Sequence, residues 1–195
     1  MIALIDYGAG NTASVSNLLR ELNANFILTN NKEKIVSADK IILPGVGEAS
    51  SAMERLTELN LIDVLKSVKL PFLGICLGMQ LLCENTEEGN VNCLNIIPVN
   101  AKKFVLENLK VPHMGWNKVE INKNEELFSE ISNNEYFYFA HSFYVPEIES
   151  ATSVCEYGIK FSSSVKHNNF YGVQFHPEKS ARQGTQIIKN FLELC

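Results

Sequence analysis

Through the first half of the chain, short apolar runs alternate with stretches whose apolar residues recur at helical spacing. Residues 1–6 form a nearly continuous apolar run that ends at Asp6, the pattern of a strand buried on both faces. Val15, Leu18, Leu19 and Leu22 follow at helical spacing, with Asn11 or Thr12 in position to cap that helix. Residues 26–29 and 40–43 read as the second and third strands, and the third stops at Pro44-Gly45-Val46-Gly47. Ala49, Met53 and Leu56 mark the next helix, and 61–68 continues helical. The run Pro71-Phe72-Leu73 then stops at Gly74-Ile75-Cys76-Leu77-Gly78, with a Gly-poor amphipathic run behind it. Strand and helix in alternation predict an α/β unit around a parallel sheet with right-handed crossovers. Sites in such sheets form at the carboxyl ends of strands. Glycine-bearing turns fall at three of those ends, over 8–10, 45–47 and 74–78.

After Cys83 the texture changes. Residues 99–106, 118–121, 136–145, 152–157, 159–166 and 170–175 all read as strands, separated by Asn, Gly, Pro and Ser turns that favour antiparallel pairing. Ile187, Ile188, Phe191 and Leu192 predict a closing amphipathic helix. No repeat, low-complexity segment or linker interrupts the chain, so residues 1–195 are expected to form one domain. The expected class is α/β: a mostly parallel central sheet flanked by helices, with an added antiparallel β section in the second half.

Composition narrows the function classes. The net charge is −5 and the longest basic run is Lys102-Lys103, so no nucleic-acid footprint is expected. The start lacks a positive lead, so no signal peptide is expected. The longest apolar stretch, near 70–83, is too short and too interrupted to span a bilayer. Five cysteines, an odd number without C-x-x-C spacing, suit reduced thiols in the cytoplasm and no metal site.

The chemistry centres on Cys76. Gly-x-Cys-x-Gly between a buried strand and a helix is the form of a nucleophile elbow. Its glycines leave room for a strained turn and close strand–helix packing. The positive end of the following helix would favour the thiolate, the form of cysteine that attacks carbonyls. A buried strand ending in an unreactive cysteine is the alternative. A catalytic cysteine needs a base and an orienting partner. His176 and Glu178 stand two residues apart in Gln174-Phe175-His176-Pro177-Glu178, and extended backbone would point both to one side, with Pro177 keeping the segment extended. A strand-end histidine beside a surface glutamate is the plainer reading of that pair. Oxyanion donors are expected from the backbone N–H of Leu77 and from the Gly45-Val46-Gly47 turn, which is otherwise a simple loop. The flanking glycines would let the 45–46 peptide adopt two orientations.

Three stretches in order, Pro44-Gly45-Val46-Gly47, Gly74 through Gln80 and Gln174 through Ser180, resemble the class I glutamine amidotransferases, which release ammonia from glutamine. Asp6 through Asn11, Val111 through Asn117 and Tyr138 through Ser142 narrow the resemblance to the glutaminase subunits of imidazole glycerol phosphate synthases. It covers nearly the whole chain. It implies the flavodoxin-like amidotransferase fold, glutamine as substrate, no cofactor, and a triad of Cys76 as nucleophile, His176 as base then acid, and Glu178 as orienter. It further implies that Gly45, Val46 and Gly47 form the oxyanion loop and that Gln80 binds glutamine. His141, Ser142 and Phe143 would hold the amino-acid end of the substrate through their backbone. Phe143 stands where many relatives carry Tyr, and Glu48-Ala49-Ser50-Ser51 departs from the Gly- and Phe-containing stretch of the family.

Within residues 1–195 neither an acceptor domain for ammonia nor a Gly-rich phosphate loop is expected. The resemblance therefore implies a (β/α)₈-barrel cyclase subunit as partner in a heterodimer, forming imidazole glycerol phosphate and an aminoimidazole carboxamide ribonucleotide. Asn11, Trp116, Tyr138 and Lys179 match family positions near that interface. Trp116, the only tryptophan, is expected in a polar, Gly-containing turn as an anchor for the partner, or else capping its own core. Rival readings are a glutaminase of another amidotransferase, a non-catalytic subunit on the same fold, or a flavodoxin-like redox or binding protein.

Overall fold

The computed structural model describes residues 1–8, 11–122 and 125–195. Ala9 and Gly10 of the first glycine-bearing turn lie outside the described residues. Five strands make the parallel layer: β1 (Ile2–Ile5), β2 (Phe26–Thr29), β3 (Lys40–Gly45), β4 (Phe72–Cys76) and β13 (Phe170–Val173), in the order β2-β1-β3-β4-β13. All four residues of β1 and all five of β4 are buried, as continuous apolar runs require in a sheet covered on both faces.

Side chains alternate across that layer. Ile2, Leu4, Leu73 and Ile75 join one core with Val15, Leu18 and Leu19 of α1 (Thr12–Glu21) and Ile187, Ile188 and Phe191 of α6 (Ala181–Glu193). Ala3, Ile5 and Phe72 join the other, which collects α3 (Ala49–Glu58), α4 (Ile62–Ser67) and α5 (Leu77–Leu81). A further short helix, α2 (Lys32–Val36), is capped by the Asn31 side chain accepting from the Lys34 N–H at 2.9 Å. Its single buried apolar residue, Ile35, leaves no periodicity for a sequence reading to find. Among the described residues no helix is long and apolar enough to cross a membrane.

The second half supplies β5 (Cys83–Thr86), β6 (Val91–Asn92), β7 (Ile97–Lys103), β8 (His113–Ile121), β9 (Glu135–His141), β10 (Phe143–Pro146), β11 (Ala151–Tyr157) and β12 (Ile159–His167). Most pair antiparallel, and β12 joins the two regions by pairing antiparallel with β13. Two pairings depart from that expectation. β13 returns to the parallel layer beside β4, and β5 runs parallel to β7. β13 is buried along its whole length, which suits a strand inside the layer rather than an antiparallel addition at its rim.

One expected strand, 136–145, is two. β9 pairs with β8, whereas β10 pairs with β7 and β12, and the chain changes partners at Ser142. The His141 imidazole holds that break, with Nδ1–H donating to the Phe143 carbonyl at 2.7 Å. Trp116 also departs from expectation: it lies within β8, opposite Tyr138 of β9, not in a turn.

Candidate active site

Cys76 ends β4 and precedes α5 with φ +53° and ψ −108°, a backbone that L side chains rarely adopt. Close packing explains the glycines around it. A Cβ on Gly78 would lie 2.0 Å from the Leu43 carbonyl oxygen, and one on Gly74 would lie 2.5 Å from the Gly78 carbonyl oxygen. Gly45, the register partner of Cys76, could not carry a Cβ either, because Gly78 N and Leu77 Cβ would each be 2.6 Å away. Gly47 is glycine for a different reason: nothing crowds its Cβ position, but its φ is +95°. The elbow and the 45–47 turn are thus interlocked parts of one structure.

The helix behind Cys76 differs from its sequence expectation. α5 has only five residues and all of them are buried, so it is a core segment and not an amphipathic helix. So short a helix has little macrodipole to lend the thiolate. Charge support at Sγ has to come from side chains.

His176 follows β13, and its backbone N–H donates to the Tyr138 carbonyl at 2.9 Å. Its side chain is 2% exposed and that of Glu178 is 1% exposed. The two do not meet across an extended segment. His176 is extended, but Pro177–Lys179 is a 3₁₀ turn with proline at its start, where φ is already suitable and no N–H is missed. That turn brings Glu178 Oε1 to 2.9 Å from His176 Nδ1, and Ser180 Oγ closes it by donating to the His176 carbonyl at 2.7 Å. With Nδ1–H donating to the carboxylate, Nε2 is left for the Cys76 side. Burial opposes the charge on His176, but the hydrogen-bonded Cys76 and the Glu178 carboxylate outweigh it and raise the imidazole well above its ordinary value, to about 10. That environment favours the charged form of the His176 ring. Asn11 caps α1 by position only, since its side chain donates instead to Glu178 Oε1 at 3.4 Å.

Cys76 and His176 open onto a cavity of about 320 Å³. Val46, Gly47, Leu77, Gln80, His141, Ser142, Phe143 and Lys179 line it as well. Gly45 lies beneath the lining, and Glu178 and Asn11 stand behind His176. The Gln80 amide nitrogen is already committed, donating to the Phe143 carbonyl at 2.9 Å and to Gln174 Oε1 at 3.0 Å. Trp116 and Tyr138 lie outside the cavity. They pack edge to face with ring centroids 6.1 Å apart, and Lys179 Nζ sits 5.7 Å from the Tyr138 ring centre.

Four lining residues were not anticipated as site residues: Glu88, Pro112, Met114 and Ala140. Among the described residues Glu88 is the one carboxylate on the cavity wall, and its Oε2 accepts the Ala49 N–H at 3.0 Å. Burial raises its pKa. It lies in a turn of mixed polar residues with no periodicity to single it out. The segment 48–51 that departs from the family pattern is where this turn packs, since a Cβ on Gly89 would lie 3.0 Å from Ser50 Cβ.

The chain matches the family model for glutamine amidotransferase class-I over residues 3–195. It is 45% identical over 195 residues to the imidazole glycerol phosphate synthase subunit HisH of Bacteroides thetaiotaomicron, covering 99% of each chain. It is 46% identical over 192 residues to the subunit of the same name from Haemophilus influenzae, covering 98% of this chain and 96% of that one. Among solved structures, a glutamine amidotransferase superposes with a TM-score of 0.77 at 16% identity, covering 100% of this chain and 98% of the other. A glutamine amidotransferase from Thermotoga maritima gives 0.63 at 20% identity, covering 98% and 82%. At those identities the structural matches speak for the fold.

Proposed function

The chain belongs to the class I glutamine amidotransferases, and from that premise we propose that Cys76, His176 and Glu178 are its glutaminase triad, carried by residues 1–195 as one domain. The protein is the glutaminase subunit of imidazole glycerol phosphate synthase, as its identity to HisH subunits over nearly the whole chain indicates. One observation carries the site assignment: a buried His–Glu pair at 2.9 Å next to a cysteine held at positive φ on a cavity wall.

The chemistry follows from that arrangement. The Cys76 thiolate attacks the side-chain amide carbon of glutamine, and backbone N–H groups of the 45–47 turn and Leu77 receive the oxyanion. His176 gives its Nε2 proton to the departing nitrogen, ammonia leaves, and a γ-glutamyl thioester remains. Neutral His176 then draws a proton from water, and hydroxide adds to the thioester carbonyl. Collapse expels the Cys76 thiolate and releases glutamate. Glu178 holds Nδ1–H throughout and offsets the charge on the ring. Gln80, His141, Ser142 and Phe143 line the side of the cavity that takes the amino-acid end, and Glu88 suits its α-ammonium group.

Ammonia freed in water at neutral pH is mostly ammonium, a poor nucleophile, so it must pass to an acceptor without meeting bulk solvent. The acceptor is a cyclase subunit of (β/α)₈-barrel form, docked over Trp116, Tyr138 and Lys179 in a cytoplasmic heterodimer. Neither nucleic acid nor a membrane enters this reading. Met114 and Trp116, 65% and 50% exposed on the same face of β8, extend an apolar strip from the cavity wall and support docking there. The test is glutamine hydrolysis by the chain with and without the cyclase subunit and its nucleotide ligand. Low activity alone, stimulation by the loaded partner and abolition by Cys76→Ala are expected. Full turnover by the isolated chain would overturn the coupling, and activity surviving in Cys76→Ala would overturn the triad.

A further inference from the structure

Gln174 is fully buried, two residues before His176, and the reaction as described gives it no part. Its Nε2 lies 3.6 Å from Cys76 Sγ, within the reach of an N–H···S hydrogen bond. A buried carboxamide is costly unless its groups are paired. Among the described residues both side-chain partners of this one, Gln80 and Cys76, belong to the site.

The orientation of the amide is determined by its neighbours. The Phe143 carbonyl can only accept, so Gln80 must turn its Nε2 toward it, at 2.9 Å. The same Gln80 nitrogen then meets Gln174 at 3.0 Å and requires an acceptor there, so Gln174 presents Oε1 to Gln80. The Nε2–H₂ group of Gln174 is thereby aimed at Sγ. A flipped Gln174 would set donor against donor at Gln80 and leave a carbonyl oxygen facing the sulfur.

We propose that Gln174 is a catalytic hydrogen-bond donor to the Cys76 thiolate, oriented by Gln80 from the Phe143 carbonyl. The chemistry needs such a donor because α5 is too short to support the charge and His176 gives up its proton during the reaction. When His176 protonates the leaving ammonia, the imidazolium is lost. When the thioester is hydrolysed, the C–S bond breaks and its electron pair returns to sulfur as thiolate. Gln174 keeps a hydrogen bond on that sulfur through both steps. It therefore favours departure of sulfur in the second step more than attack in the first.

The inference rests on the glutaminase reading for its catalytic consequence, but its geometry can be probed without substrate. Gln174→Glu keeps the shape and the acceptor for Gln80 while replacing the donor with oxygen. Gln174→Met keeps the bulk and removes both hydrogen bonds. Alkylation of Cys76 by iodoacetamide, followed against pH on the full chain, is the direct readout. Both variants should shift that profile to higher pH, by about one pH unit for Met and further for Glu, which adds a like charge. In the complex with the cyclase subunit, both should lose roughly tenfold or more in kcat, with γ-glutamyl thioester accumulating. A profile unmoved in both variants would overturn the proposal even if turnover fell, because a packing role alone predicts that result. If alkylation shifts and no glutaminase activity exists in the parent protein, the glutaminase reading fails and the donor assignment stands.

Discussion

His113 Nδ1 and His141 Nε2 lie 2.9 Å apart, joining two buried imidazoles across the β8–β9 pair. The proton between them is assignable. His141 Nδ1 must carry hydrogen to donate to the Phe143 carbonyl, so Nε2 of the neutral ring is bare and accepts from His113 Nδ1–H. His113 Nε2 in turn faces the Asn117 amide at 3.3 Å. This run of hydrogen bonds holds the break at Ser142, and hence that side of the cavity, in one geometry.

A pH dependence follows. Burial pushes His113 down to about 4, and burial with the neighbouring imidazoles pushes His141 down to about 3, from an ordinary 6.5. Both folded values lie below the unfolded ones, so the unfolded chain binds more protons and stability falls as pH drops below 6.5. Near pH 5 the two groups together give a slope of about 2.5 kcal/mol per pH unit. Urea unfolding at pH 7, 6 and 5 measures it, and His113→Gln should cut the slope to near half. His176 acts in the opposite sense and in another window. Its raised value contributes stability that is complete below 6.5 and is lost as pH climbs toward about 10.

Gly78 and Gly47 separate space from conformation. Gly78→Ala drives a methyl to 2.0 Å from a backbone carbonyl that cannot yield, and should cost about 3 kcal/mol or more. Gly47→Ala meets no atom and bears only the strain of a φ of +95°, on the order of 1–2 kcal/mol. Thermal unfolding should therefore show a larger fall for Gly78→Ala, with about 2–4 °C lost per kcal/mol in a chain of this size. Gly47→Ala should fold and lose turnover, because it moves the turn proposed to receive the oxyanion.

The contrast between those glycines marks what can be read from sequence. Gly74, Cys76 and Gly78 are visible as an elbow because spacing along the chain encodes a local turn. The interlock of Gly45 with Gly78 is not visible, since it depends on β3 and β4 lying side by side. His176 and Glu178 were legible as a pair, but by the wrong geometry: proximity in sequence brings them together through a 3₁₀ turn as readily as through a strand. The parallel layer was legible from buried apolar runs. The return of β13 into that layer was not, because four buried residues carry no signature of the direction in which they pair. Nothing local distinguishes Glu88, and Gln174, although it opens the stretch that runs to Ser180, meets Gln80 and Cys76 only through the fold.

Glu88 offers a test of substrate recognition separate from the chemistry. Its carboxylate is held on the cavity wall by the Ala49 N–H, so it is placed before substrate arrives. Glu88→Gln keeps a carbonyl for that bond and removes the charge that would meet an α-ammonium. Such a charge-assisted contact is worth about 1.5–3 kcal/mol, which corresponds to a KM for glutamine raised roughly 10- to 150-fold. Steady-state kinetics of the complex would show the loss in KM with kcat little changed. A fall confined to kcat would place Glu88 outside ground-state recognition.

Trp116 tests the docking surface. It is half exposed and packs edge to face on Tyr138, so its removal opens no core cavity and should move the unfolding midpoint of the isolated chain little. At a partner interface, a central tryptophan is the residue type whose truncation is most damaging, commonly about 2 kcal/mol or more. Trp116→Ala should then weaken binding of the cyclase subunit roughly 30-fold, measured by titration calorimetry at fixed salt. Lys179→Ala, which removes a cation from the same cluster, should act mainly on the association rate and its salt dependence. Unchanged affinity in Trp116→Ala together with a large drop in thermal stability would assign the ring to the chain's own core and move the interface elsewhere.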